Sequence, residues 1–208
     1  MKITASYEGL TRIKNGDYVL EKDLIVDGSI EIELDDRFIV KGRLEATKSI
    51  IAKCGIEAGD GIKAGWGIEA GCGIKAGCGI EAGYCIKAGW GIEAGWGIEA
   101  GDGIEAGWGI KAGDGIKAGC GIEAGDGIEA GDGIKAGWGI KAKWGIEAGD
   151  GIEAGDGIEA KMIDCKKRIF AGISLYRTSK NCIKTIKCQK IIDGEIAYGD
   201  LIVESEDK

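Results

Sequence analysis

Isoleucine recurs every six residues from Ile50 through Ile56 and Ile62 to Ile158 without a miss, in the unit Gly-Ile-(Glu or Lys)-Ala-Gly-x. A period this strict belongs to repeat architectures, in which each unit buries its apolar side only by stacking on its neighbours. Ile and Ala stand two apart with a charged residue between them, the alternation of a strand with one buried face. Two Gly in every six residues exclude a helix. The Gly-x-Gly that follows reads as a corner, with glycine supplying backbone angles that other residues resist. Short strands joined by sharp corners predict an all-β fold, a parallel β-helix. Carried towards the N-terminus, the six-residue step lands on Leu44, Phe38, Ile32, Val26 and Leu20, so the coil is expected to start near residue 20.

The charged position counts the units in one coil. At 18-residue separation, as in Glu57, Lys75, Glu93 and Lys111, 11 of 15 pairs are opposite in sign. At 12 residues the figure is 9 of 16, and at six it is 10 of 17. Opposite charges stacked on adjacent strands stabilise a ladder and pin its register, which favours three hexapeptides per 18-residue coil. Three segments follow: an N-terminal cap with irregular first coils (1–49), the regular body (50–160), and a C-terminal cap or dimerisation segment (161–208).

Composition narrows the chemistry. Forty of 208 residues are Gly, but without proline or a three-residue period collagen is excluded, and 44% hydrophobic residues at fixed spacing argue against disorder. There is no His, the commonest general base and metal ligand. The net charge of -8 is concentrated in the body: residues 55–160 carry 8 basic and 18 acidic side chains, residues 161–208 carry 10 and 7. Such a body repels nucleic acid and attracts a basic protein groove. The N-terminus lacks the basic and apolar pattern of a signal peptide, and no stretch approaches a membrane span. Eight Cys without a CxxC fit reduced thiols and a cytoplasmic location.

With its Ile period and 18-residue coil, the stretch 44–160 resembles the hexapeptide-repeat proteins that form left-handed β-helices. Its small inward residue stands two after the aliphatic one instead of two before, and the residues leave the hand of the coil open. The resemblance implies a rigid solenoid; the acyltransferases and carbonic anhydrases of that family rely on His, so no catalytic residue carries over. Residues 20–50, with Val26-Asp27-Gly28-Ser29-Ile30-Glu31-Ile32, also resemble the polymer-forming bactofilins.

Only the x position varies. An 18-residue coil sorts it into three ridges: Cys54, Cys72, Trp90, Trp108, Asp126 and Trp144; Asp60, Cys78, Trp96, Asp114, Asp132 and Asp150; Trp66, Tyr84, Asp102, Cys120, Trp138 and Asp156. A core site would not accept Asp, Cys and Trp interchangeably, so these side chains are expected to project from corners. Calcium would need six to eight oxygens, and the Cys54–Cys72 pair lacks further zinc ligands, so neither metal nor cofactor is expected. Ice binding would need Thr arrays, whereas Thr4, Thr11, Thr47, Thr178 and Thr185 all lie outside the repeat.

The expectation is a non-enzymatic interaction protein. Asp114, Asp132 and Asp150 would supply charge, and Trp90, Trp108, Trp138 and Trp144 would anchor a partner with a basic surface, such as a nucleic-acid enzyme. The sharper form is a nucleic-acid mimic that inhibits a nuclease, as a phage or mobile-element anti-defence protein would. A self-assembling scaffold is the alternative, and a homodimer through residues 161–208 is compatible with either.

Overall fold

The computed structural model describes residues 1–173 and 183–205, which leaves Thr178 and Cys182 outside the described residues. It is a parallel β-solenoid with 18-residue coils, and no helix occurs among the described residues. Each hexad contributes a three-residue strand that is buried, exposed and buried in turn, as at Ile92–Ala94. Strands stack in parallel on those one coil away with like residues opposite: Ile92 on Ile110, Glu93 on Lys111, Ala94 on Ala112. Three faces result. The first continues from Ile50–Ala52, the second from Ile56–Ala58 and the third from Ile62–Ala64.

The interior follows from this register. Every repeat isoleucine from Ile50 to Ile158 is at most 1% exposed, and alanine fills the space between. Full burial of one such side chain contributes roughly 1.5–3 kcal/mol. Outside, all seven lysines of the charged position pair with a glutamate one coil away. Examples are Lys63–Glu81 at 2.9 Å, Lys111–Glu129 at 2.6 Å and Lys117–Glu99 at 2.7 Å, with Lys75–Glu93, Lys87–Glu105, Lys135–Glu153 and Lys141–Glu159 completing the set. These pairs are half exposed and screened by solvent, so their effect is on register more than on stability.

The glycines serve a different purpose from the one their corner position suggested. None in the repeat has a positive φ. They are required because successive coils approach backbone to backbone. A Cβ at Gly107, just after Ala106, would lie 2.1 Å from the Gly89 oxygen. A Cβ at Gly109, just before Ile110, would meet the Gly127 oxygen at 3.4 Å, an ordinary contact. The looser position accepts Cys85. The tighter one holds Lys53 and Lys143, and there the N–H···O distance to the previous coil is 3.3 Å, against 2.8–3.2 Å for the glycines.

The first coils depart from the extrapolated six-residue step. Tyr18 stacks on Phe38, Leu24 on Leu44 and Ile30 on Ile50. Leu20, Val26 and Ile32 therefore hold the alanine position, opposite Val40, Ala46 and Ala52. The cause is the segment 33–37, two residues longer than the usual connection, which tucks in Leu34 and places Arg37 between Asp17 (2.7 Å) and Glu57 (2.8 Å). Beyond it the 18-residue register begins, with Phe38 on Ile56.

Segments outside the regular pattern flank the body at both ends. Leu10–Arg12 runs antiparallel along Tyr18–Leu20, and Lys2–Ile3 lies on Ile30–Ile32. At the other end, the ten-residue strand Met162–Ala171 turns the corner between the second and third faces. It stacks Ile163 on Ile146 and Ile169 on Ile152. Thr185–Cys188, Lys190–Tyr198 and Asp200–Val203 complete the last coil.

Candidate functional site

The corners carry the variable side chains, and each corner residue donates its backbone N–H to its counterpart one coil back, as Trp108 does to Trp90 at 3.1 Å. The three ridges of the sequence are the three corners. Most of their side chains project: Trp96 is 62% exposed, Trp108 59% and Trp138 48%. Two do not. Cys54 and Asp156, in the first and last regular coils, are buried, contrary to the expectation for this position.

The anticipated contact residues do not form one cluster. Trp90, Trp108 and Trp144 stand on the corner between the first and second faces, and Asp114, Asp132 and Asp150 on the corner between the second and third. These two rows border the second face. Trp138 stands on the remaining corner, away from that surface.

The second face is a shallow groove of about 930 Å³ with Trp90, Lys111, Glu129 and Glu147 along it. Trp90 and Trp108 stack on its rim with ring centroids 5.6 Å apart and planes 10° from parallel. The next corner residue is Asp126, followed by Trp144, whose ring carries the Lys161 ammonium 4.1 Å from its centroid. A cation on a Trp face is an attractive contact, so this rim accepts positive groups both on carboxylate and on ring.

Along the face the charges alternate from Glu57 to Glu129 and then stop alternating. Glu129 stacks on Glu147, Glu147 on Asp164 and Asp164 on Asp193. Lys111 neutralises Glu129, and Lys167 reaches Asp150 at 2.7 Å, which holds the lysine above its ordinary pKa. Glu147 and Asp164 form no ion pair among the described residues. The Glu129–Glu147 step was visible in the sequence as a like-charge pair at 18 residues. Asp164 and Asp193 were hidden, because they join the row through coils of other lengths. Trp96, the most exposed indole, shares the acidic corner and also lay outside the anticipated set.

Other chemistry is thin. The described cysteines are free thiols. Burial pushes Cys54, Cys165 and Cys188 up in pKa, and burial followed by the Asp102 carboxylate does the same for Cys120. Raised thiol pKa values are the reverse of what a nucleophilic cysteine needs. No group of three His, Cys, Asp or Glu suited to a metal occurs among the described residues. No helix there is long and apolar enough to cross a membrane. Comparison of the chain with protein-family models, curated proteins and solved structures finds no match.

Proposed function

We propose that the chain is a non-catalytic interaction rod of the hexapeptide-repeat type that binds a basic partner along the C-terminal half of its second face. What carries this reading is the row in which alternation fails, bordered by indoles on one side and carboxylates on the other. On the other faces like charges meet in single steps, Glu105 on Glu123, Glu81 on Glu99 and Lys117 on Lys135, whereas on this face the acidic run Glu129, Glu147, Asp164 and Asp193 extends over four coils. Here Asp114, Asp126, Asp132, Glu147 and Asp164 are left over beside Trp96, Trp108 and Trp144.

The density of that charge narrows the partner. Four coils at about 4.8 Å each span about 19 Å, giving roughly one uncompensated carboxylate per 4 Å. Duplex DNA carries one charge per about 1.7 Å of axis and a single strand one per about 3.4 Å. The surface therefore imitates one strand better than two. The partner that suits it is a nucleic-acid enzyme with a basic single-strand channel and stacking sites for bases, which the exposed indoles would occupy. A cytoplasmic inhibitor of a nuclease, as an anti-defence protein would be, is the fullest form of the proposal, and the free thiols are compatible with it.

The test is affinity capture from host lysate at low and high salt, in parallel with a variant carrying Asp114→Lys, Asp132→Lys and Glu147→Lys. A basic nucleic-acid enzyme should be retained at low salt, released at high salt and lost with the variant. Equal capture by both proteins would sink the proposal. A self-assembling scaffold is the second reading, favoured by the exposed apolar residues of the last coil; recovery of the bait alone, in assemblies, would select it.

A further inference from the structure

A solenoid must end twice, and each end cuts a strand ladder and an apolar core. The two ends of this rod are treated differently. At the N-terminal end, Leu10–Arg12 crosses the outermost strand in the antiparallel sense, and Lys2–Ile3 covers another. Tyr7 and Leu10 pack on the core, Ile3 is fully buried, and Leu24 is 5% exposed.

At the C-terminal end the last described coil keeps the path of those before it. Its core positions are set by the stacking of Ile191 on Ile163, Ile196 on Ile169 and Leu201 on Ile186. Ile163, Ile169 and Ile186 are fully buried, but Leu201 is 46% exposed. Val203, stacked on Cys188, is 65% exposed where Cys188 is 1%. Ile192, Tyr198 and Ile202 are exposed on the same coil. Among the described residues, Asp200–Val203 pairs only with Thr185–Cys188, and Lys190–Tyr198 only with Met162–Ala171, so the outer backbone edge of each is unpaired.

We propose that this rim is a homodimer interface, in which a second copy of the chain docks end to end through its own last coil. An occupant has to offer strand edges on three sides of a triangle around a cut apolar core, and the same rim of another copy does so. A two-fold axis across the rod, through the first face, sets Asp200–Val203 antiparallel to its counterpart. It also brings the second-face part of Lys190–Tyr198 against the third-face part of its copy. The reversal makes every contact antiparallel, so all three edges are satisfied by one operation.

Electrostatics favours the same joint. Residues 55–160 carry 18 acidic against 8 basic side chains and would repel a copy laid alongside, whereas residues 161–208 carry 7 against 10. At the N-terminal end two of the three outermost strands are already paired, by Leu10–Arg12 and Lys2–Ile3, so that end does not offer the same triangle of edges and the contact does not repeat. Growth closes at two copies, where head-to-tail contacts would give filaments.

The test is sedimentation equilibrium of the full chain with small-angle scattering. The expected species has about twice the chain mass of 21.7 kDa and close to twice the length of one rod. Val203→Asp and, separately, Leu201→Asp should weaken the dimer at least about a hundredfold, by putting a charge in an apolar contact. Val203, the more exposed, should do so with an unchanged circular dichroism spectrum and melting temperature. Trp96→Ala, on a lateral corner, should leave the dimer intact. A monomeric wild type, a dimer that survives both rim substitutions, or rods that lengthen with concentration would each overturn the proposal.

Discussion

The two glycines of each hexad are chemically identical and structurally unequal, and the difference lies in what stands opposite. At Gly107 a methyl group would collide with a carbonyl at 2.1 Å, whereas at Gly109 it would rest at contact distance. Gly107→Ala should therefore cost about 2–4 kcal/mol, in the range of a forced backbone shift, and Gly109→Ala less than about 1 kcal/mol. Thermal melting of the two variants gives the comparison; equal losses would show that the close approach is not what selects glycine. Lys53 and Lys143 show that the cost is finite, since the ladder there yields by a few tenths of an ångström. The sequence alone pointed to the corner but misassigned the reason, because spacing reveals where the chain bends and not what presses against it.

At the level of elements, the N-terminal segments are fastened by ion pairs that the repeat does not share. Arg37 holds Asp17, which is 8% exposed, and its hydrogen bond is the main cause that keeps the carboxyl below the ordinary value of 3.8. A depressed carboxylate stabilises the folded state above its unfolded pKa, and that contribution disappears as pH falls through the folded value. The N-terminal cap should thus loosen below about pH 4 while the body, whose inward strand positions are Ile and Ala, persists. Hydrogen exchange of residues 1–40 against pH measures this, and Arg37→Gln should weaken the cap at neutral pH and flatten its acid loss; an unchanged profile would mean that Asp17 does not fasten the cap. The body's strands were legible in the sequence because one six-residue rule governs them. Leu20, Val26 and Ile32 were displaced by two positions because segment 33–37 is two residues longer, and a period carries no warning of its own interruption. The same blindness hid Asp164 and Asp193. Their place in the acidic row depends on the path of the last coils, not on any spacing.

On the scale of the whole molecule, the ridges were readable and their assembly into a surface was not. Sorting every eighteenth residue placed each indole and carboxylate on its corner. Only the three-dimensional path set Trp108 and Asp132 on opposite borders of one groove and removed Trp138 from it. The in-register coil has a further consequence, which concerns length. An 18-residue deletion, such as 97–114, should leave a folded rod shorter by one coil of about 4.8 Å, with all three faces still continuous. Removing six residues should instead carry every downstream strand onto the next face, so that the C-terminal segment meets the wrong neighbours. Scattering and circular dichroism on the two deletions decide this; a well-folded six-residue deletion would contradict it. The gene for such a chain can therefore be lengthened or cut in whole coils while both ends keep their bearing about the axis. The distance between those ends becomes a ruler graduated in steps of a single strand spacing.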